Sequence, residues 1–248
     1  MTRMETGGNS RNNGKCLQFS RKLFIFAIKR TKVLRLDKKR NEFLCFVLDF
    51  SYLCNRNVCE VTEIEFPYMV DTIKKYEDQR IKEALLYILS KTGVVDYYHL
   101  MKILYLAERQ HLAKWGEKIT TDDYYALPHG PVPTRIYDAL KDVKEGHGGF
   151  LADVLTVEKD LPNVAPLREP DLDYLSKSEV EALDNAITKN IVKSFAELEQ
   201  MTHDEYYHKA LENGRKMSIE DIARSGGASE EMIEFIHEQM AVDEALMS

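Results

Sequence analysis

Cysteine stops at Cys59. Cys16, Cys45, Cys54 and Cys59 all lie in the first quarter of this 248-residue chain, whereas all seven histidines lie beyond it. The cysteine spacings match no zinc pattern, and no histidine stands close enough to complete one, so four free thiols and no metal are expected. Proline is missing from the same quarter, and Pro67 is the only one before Met69. Long apolar runs are missing as well. The longest near the N-terminus, Leu23 to Ile28 and Phe43 to Leu48, hold six residues each. Crossing a bilayer takes about 20 predominantly apolar residues, and a secretory signal needs about 7–15 plus a small-residue cleavage site. A soluble, cytoplasmic protein without membrane contact is the expectation. Glycine-rich phosphate cradles are lacking too. Gly146, Gly148 and Gly149, and later Gly226 and Gly227, have neither the strand nor the Lys-Ser/Thr context of a P-loop or dinucleotide fingerprint.

Charge divides the chain where cysteine and proline do. Residues 1–68 carry 13 Lys/Arg against 7 Asp/Glu, a net of +6, and residues 69–248 carry 21 against 34, a net of −13. The first segment contains a basic block at 29–40, KRTKVLRLDKKR, and an aromatic, apolar block at 43–54, FLCFVLDFSYLC. Neither keeps a helical period. The expectation is a basic N-terminal extension at 1–68, a helical domain at 69–248, and a natural start at Met69. Intact-mass analysis of protein made from its own locus checks this, since a species retaining Met1 to Tyr68 rules it out. The basic block suits nucleic acid or an anionic membrane. The net −13 of 69–248 argues against phosphate binding there, because neutralising phosphates needs a basic face.

From Asp71 onward the pattern is orderly. Ile73, Tyr76, Ile81, Ala84, Leu85 and Ile88 recur at helical spacing up to Gly93. Asp96 is placed to cap a second helix in which Leu100, Met101, Ile103, Leu104, Leu106 and Ala107 leave only a narrow polar stripe. That helix is predicted to be the buried centre, closed by Gly116. Thr120 to Leu127 reads as extended, and Pro128 to Pro133 (PHGPVP) as irregular, with Pro133 in the first turn of the next helix. Ile136, Leu140 and Val143 give that helix its inner face, ended by the glycines at 146–149. Phe150 to Val157 and Asn163 to Leu167 predict a small hairpin or ribbon. Four more helices follow, with starts at Ser178, Ser194 (a capping box with Glu197), Ser218 and Ser229. The last carries an acidic face and an apolar stripe of Met232, Ile233, Ile236 and Met240 expected to dock on the body. The fold class is therefore mainly α, a single helical domain with a small β-hairpin or ribbon insertion.

Candidate catalytic groups are few. His129 in His-Gly-Pro has the position of a loop general base, but no nucleophile stands near it in sequence, no G-x-S-x-G elbow occurs, and it reads as a turn residue. His203 and His208, near Asp204, Glu205 and Glu212, stand five apart and so do not share a helix face as i, i+4 ligands do. No catalytic residue, metal or cofactor is expected.

Residues 100–140 nevertheless carry a distinctive pattern. Leu100, Lys102, Leu104, Tyr105, Leu106 and Ala107 are followed by His111, Gly116, Ile119, Tyr125 and Ala126, then Gly130-Pro131-Val132 and a helix with Ile136, Tyr137 and Leu140. This arrangement resembles the SocA-like antitoxin domain, also called the Panacea domain. The resemblance extends over roughly 72–225 and includes the later Thr202-His203 step. It departs at Glu108, where the family commonly has Asp, and at Tyr206 or Tyr207, where it often has Trp. The resemblance implies an antitoxin of a toxin–antitoxin or phage-defence module. Such a protein neutralises a cognate toxin by direct binding or, as the founding member does, delivers it as an adaptor to a ClpXP-type protease. Neither role requires an active site, and the acidic domain makes a basic toxin the expected partner. Leu104, Tyr105, His111, Gly116, Tyr125, Gly130, Pro131, Val132, Tyr137 and His203 are the motif residues expected to shape the fold or meet the partner. The alternative, a DNA-binding autorepressor of its own operon, rests on the basic block at 29–40. An enzyme acting through His129 or His203 is the third reading.

Overall fold

The structure, a computed structural model, describes residues 65–247. The four cysteines, the basic block at 29–40 and the apolar block at 43–54 lie outside the described residues. Thr72–His237 form one compact unit, the helical body.

Among the described residues there are eight α-helices and two small antiparallel sheets. Helix α1 (Glu65–Thr92) ends before Gly93, whose left-handed backbone turns the chain. Strand β1 is Val95–Asp96, and Asp96 then caps α2 (Tyr97–Trp115) by accepting from the His99 amide at 3.0 Å. Helix α2 is the centre of the body. Leu100, Ile103, Leu104 and Ala107 are fully buried, and the helix packs on α4 (Lys177–Asn190), α7 (Ile219–Ser225) and the strand Gly130–Pro133. Of the narrow polar stripe read from the sequence (His99, Lys102, Arg109 and Gln110) only Lys102 is buried, the other three being half-buried; Glu108 and His111 are buried beside it, and each of these buried groups needs a partner inside the fold. No helix among the described residues is long and apolar enough to cross a membrane.

The Gly-Pro-Val segment corrects the expectation of irregular chain. Tyr124–Leu127 (β2) and Gly130–Pro133 (β3) form a tight antiparallel hairpin with Tyr125 opposite Val132 and Ala126 opposite Pro131. Two prolines fit because they occupy alternate positions. Their partners Ala126 and Tyr124 turn their backbone groups to the other edge, where the Ala126 amide donates to Arg215 O (2.8 Å) and Tyr124 O accepts from Met217 (2.9 Å). Pro131 and Pro133 therefore sit in pairs that ask for no N–H.

Helix α3 (Thr134–Glu145) starts one residue after Pro133, which flanks the helix instead of opening it. Its first amides are taken by a distant side chain. The Asp122 carboxylate accepts from Arg135 N (3.2 Å) and Ile136 N (2.8 Å). The ribbon expected at 150–167 is present but shorter at its start and wider. Leu155–Val157 (β4) pairs with Asn163–Pro166 (β5), residues 150–154 are turns, and β1 adds a third strand in the order β1-β5-β4. A 3₁₀ turn (Leu172–Tyr174) leads to α4, which begins at Ser176 and not at Ser178, because Ser176 and Glu179 make the reciprocal capping box. Helices α5 (Phe195–Thr202), α6 (Glu205–Glu212), α7 and α8 (Glu230–Met247) follow. The Ser194–Glu197 capping box and the Ser218 cap are present where the sequence puts them. Of the C-terminal stripe, Ile233 and Ile236 are buried and Met232 partly so, whereas Met240 is exposed.

Candidate functional site

Lys102 sits on the inner face of α2 with 1% of its surface exposed. Its four-carbon stem carries the amine under the β2–β3 hairpin, where Nζ donates to Pro131 O at 3.0 Å and lies 5.3 Å from the centre of the Tyr98 ring. Burial pulls the amine down to about 7, against the opposing pull of the Glu199 carboxylate. The hairpin can lie this close only because position 130 is glycine. A Cβ there would stand 2.4 Å from Lys102 Nζ, 2.8 Å from Thr202 Oγ1 and 3.3 Å from the His203 ring, and the backbone has φ +101°.

Three motif segments thus converge on one amine: the Leu-x-Lys of α2, Gly130-Pro131 of the hairpin, and the Thr202-His203 step that ends α5. Thr202 Oγ1 donates to Leu198 O at 2.8 Å. The His203 ring stacks on Tyr207 at 4.1 Å, and Tyr207 OH donates back to Leu127 O at 2.8 Å, so the step is clamped to the hairpin. His203 Nε2 is shut off from solvent without a hydrogen-bond partner. Burial lowers its pKa, and Lys102, His208 and His129 push the same way against Glu199.

The outer rim of this cluster is aromatic. Phe195 stacks on Tyr98 at 4.1 Å, and His129 meets the Phe195 ring edge-on at 5.2 Å. His129 Nδ1 faces Glu199 Oε1 at 3.0 Å. Burial and the fields of Glu199 and Asp96 push the Tyr98 hydroxyl up to about 12.

The remaining motif residues lie elsewhere. Leu104 is core. Tyr105 rests against Tyr124 and lies beside a polar knot in which Ser225 donates to Asp204 and Arg109 reaches both, joining α2 to α6 and α7. His111 is fully used as a staple, with Nδ1 on Glu117 O (2.7 Å) and Nε2 on Ser178 Oγ (3.1 Å). The Nδ1 contact is to a carbonyl, so Nδ1 carries the proton and Nε2 accepts from the serine. Gly116 closes α2 in the left-handed conformation, with Phe235 and Met232 of α8 lying over it. Tyr125 and Val132 face each other across the hairpin. Tyr137 meets Tyr97 edge-on at 6.1 Å.

A second buried polar set lies further along α2. Glu108 is fully buried; Oε2 accepts from the Thr120 amide (3.2 Å) and Oε1 has no partner. Burial raises its carboxyl to about 7, although Lys118 and Arg80 pull the other way.

The sequence pattern includes Lys102 as a motif position but does not mark it as a site residue, and it does not single out Tyr98, Phe195 or Glu199 at all. Lys102 is the one that could have been found, because a lysine on a helix apolar on most sides has to be buried with a partner. The other three meet only through tertiary packing. No group of three or more metal-ligating side chains occurs among the described residues, and the His203 and His208 rings stand edge-on 6.3 Å apart.

No curated protein and no solved structure matches this chain. Residues 100–208 match the family model described as antitoxin SocA-like, Panacea domain, which supports a role of the toxin–antitoxin type.

Proposed function

We propose that this chain is an antitoxin that neutralises a cognate protein toxin by direct binding and without catalysis. The observation that carries the reading is the family match over residues 100–208, which spans α2, the hairpin and the Thr202-His203 step. The chemistry around Lys102 agrees with it. The amine is committed to Pro131 O and His129 to Glu199, which ties the hairpin to α2 and α5, and Thr202 Oγ1 is committed to Leu198 O within α5. The net −13 of residues 69–248 favours a basic toxin, because complementary charge speeds encounter.

The test is co-expression of this chain with the product of the neighbouring open reading frame. Restored growth and co-purification of the two proteins are expected; no complex together with no rescue overturns the reading. Delivery to a ClpXP-type protease is the finer form of the proposal. It requires the toxin's half-life to shorten when the antitoxin is present, and an unchanged half-life leaves simple neutralisation.

A further inference from the structure

We infer that the toxin-facing surface is the ridge formed by Tyr98, His129, Val192, Phe195 and Glu199, and that it takes a basic side chain of the toxin set beside an apolar one. This rests on the antitoxin reading above.

The ridge combines exposed apolar surface with rigid support. Phe195 is 42% exposed although its ring is stacked on Tyr98, and Val192, three residues earlier, is 87% exposed. The backbone that carries them is held on both sides of Ser194. The Ser194–Glu197 capping box fixes the entry to α5 just before Phe195. Lys193 O is held by the His99 ring at 3.0 Å, and His99 is itself gripped by Asp96 at 2.5 Å. Aromatic groups fixed before binding lose little entropy when a partner covers them, which is how hot spots reach their affinity.

The charge on the ridge gives the partner its sign. Among the described residues the ion-pair partner of Glu199 is the His129 imidazole, whose side chain is 67% exposed. Lys102, whose field reaches it, is buried and committed to Pro131 O. Among the described residues no arginine or lysine forms an ion pair with this carboxylate. An arginine or lysine arriving over the Phe195 face gains an ion pair with Glu199 and a cation–π contact together, and an apolar neighbour covers Val192. The acidic balance of residues 69–248 favours the same partner.

The test uses the full chain and the product of the neighbouring open reading frame, with affinity by calorimetry and melting temperature measured side by side. Phe195→Ala and Glu199→Gln are each expected to weaken binding about tenfold or more while the chain stays folded. Val192→Ser removes the apolar contact without altering charge, at a side chain with almost no burial to lose, so its loss of binding is free of any folding effect. Leu172→Ser, at an exposed leucine on the 3₁₀ turn, is the control expected to bind as the unchanged chain does. Folded variants that bind within about twofold of the unchanged chain overturn the ridge and leave the antitoxin reading standing. Equal loss in Leu172→Ser also overturns it. An unchanged chain that does not bind removes both.

Discussion

At Gly130 the hairpin leaves no room for a side chain, and the cost of adding one can be separated into its parts. Gly130→Ala meets both a φ of +101° and contacts at 2.4 and 2.8 Å, whereas Gly146→Ala meets a φ of +78° with nothing within 4 Å. The second change should cost about 1 kcal/mol from backbone strain alone, and the first about 2–3 kcal/mol because Lys102 or Thr202 must also move. Denaturant midpoints of the two variants check the difference, and equal midpoints would refute it. Glu108 gives a pH prediction. Its folded pKa of about 7 lies above the ordinary carboxylate value, so the folded state holds the proton more tightly. Its contribution is full below about pH 4.5 and is lost as pH rises towards 7. Lys102 works in the other direction. Its folded pKa of about 7 lies below the ordinary 10.5, so its penalty is relieved as pH rises from 7 towards 10.5. Subtracting the stability–pH curve of Glu108→Gln from that of the unchanged chain should give a slope confined to about pH 4.5–7, with the variant the more stable above it. A flat difference would show that Glu108 is ionised in the folded protein.

Helix ends show how far local signals reach. Asp96, Ser194 with Glu197, Ser218 and Ser229 each stand next to the helix they start, and each is legible because a cap bonds an amide two or three residues on. The start of α3 is different. Its cap is Asp122, twelve residues before Thr134, brought there by the β2–β3 hairpin between them. Asp122→Ala should destabilise the chain by about 1–2 kcal/mol in chemical denaturation, with Asp122→Asn recovering part of it, since an amide oxygen still accepts from Ile136 N. No loss in the alanine variant would mean that the turn holds α3 without help. The start of α4 lies two residues before the Ser178 that the sequence suggests, and locally the two serines are equivalent, since Ser176 has Glu179 and Ser178 has Glu181 three residues on. The fold assigns Ser178 to His111 and leaves Ser176 as the cap.

For the whole molecule, acidity is the property through which the proposed basic partner can be tested. If the partner is basic, its association rate should fall steeply as salt rises, while dissociation changes little. Stopped-flow measurements over a range of ionic strength check this, and a salt-independent association rate would exclude electrostatic steering. Charge is a sum over the sequence, so this property needs no fold to be known.

The sequence by itself determined the helical class, the buried centre at Leu100 to Ala107, most helix ends and the acidic balance. These follow from periodicity, capping chemistry and composition, all of which act over a few residues or add along the chain. Only the tertiary structure decided that Gly130-Pro131-Val132 is a strand, because proline is tolerated there according to which edge its partner's backbone faces. It alone brought Lys102, Gly130 and His203, separated by up to a hundred positions, around one buried amine. It also set Tyr98, Phe195 and Glu199 in one ridge. Contacts between distant segments depend on the direction in which each helix leaves its turn, and that direction is fixed only when the core closes.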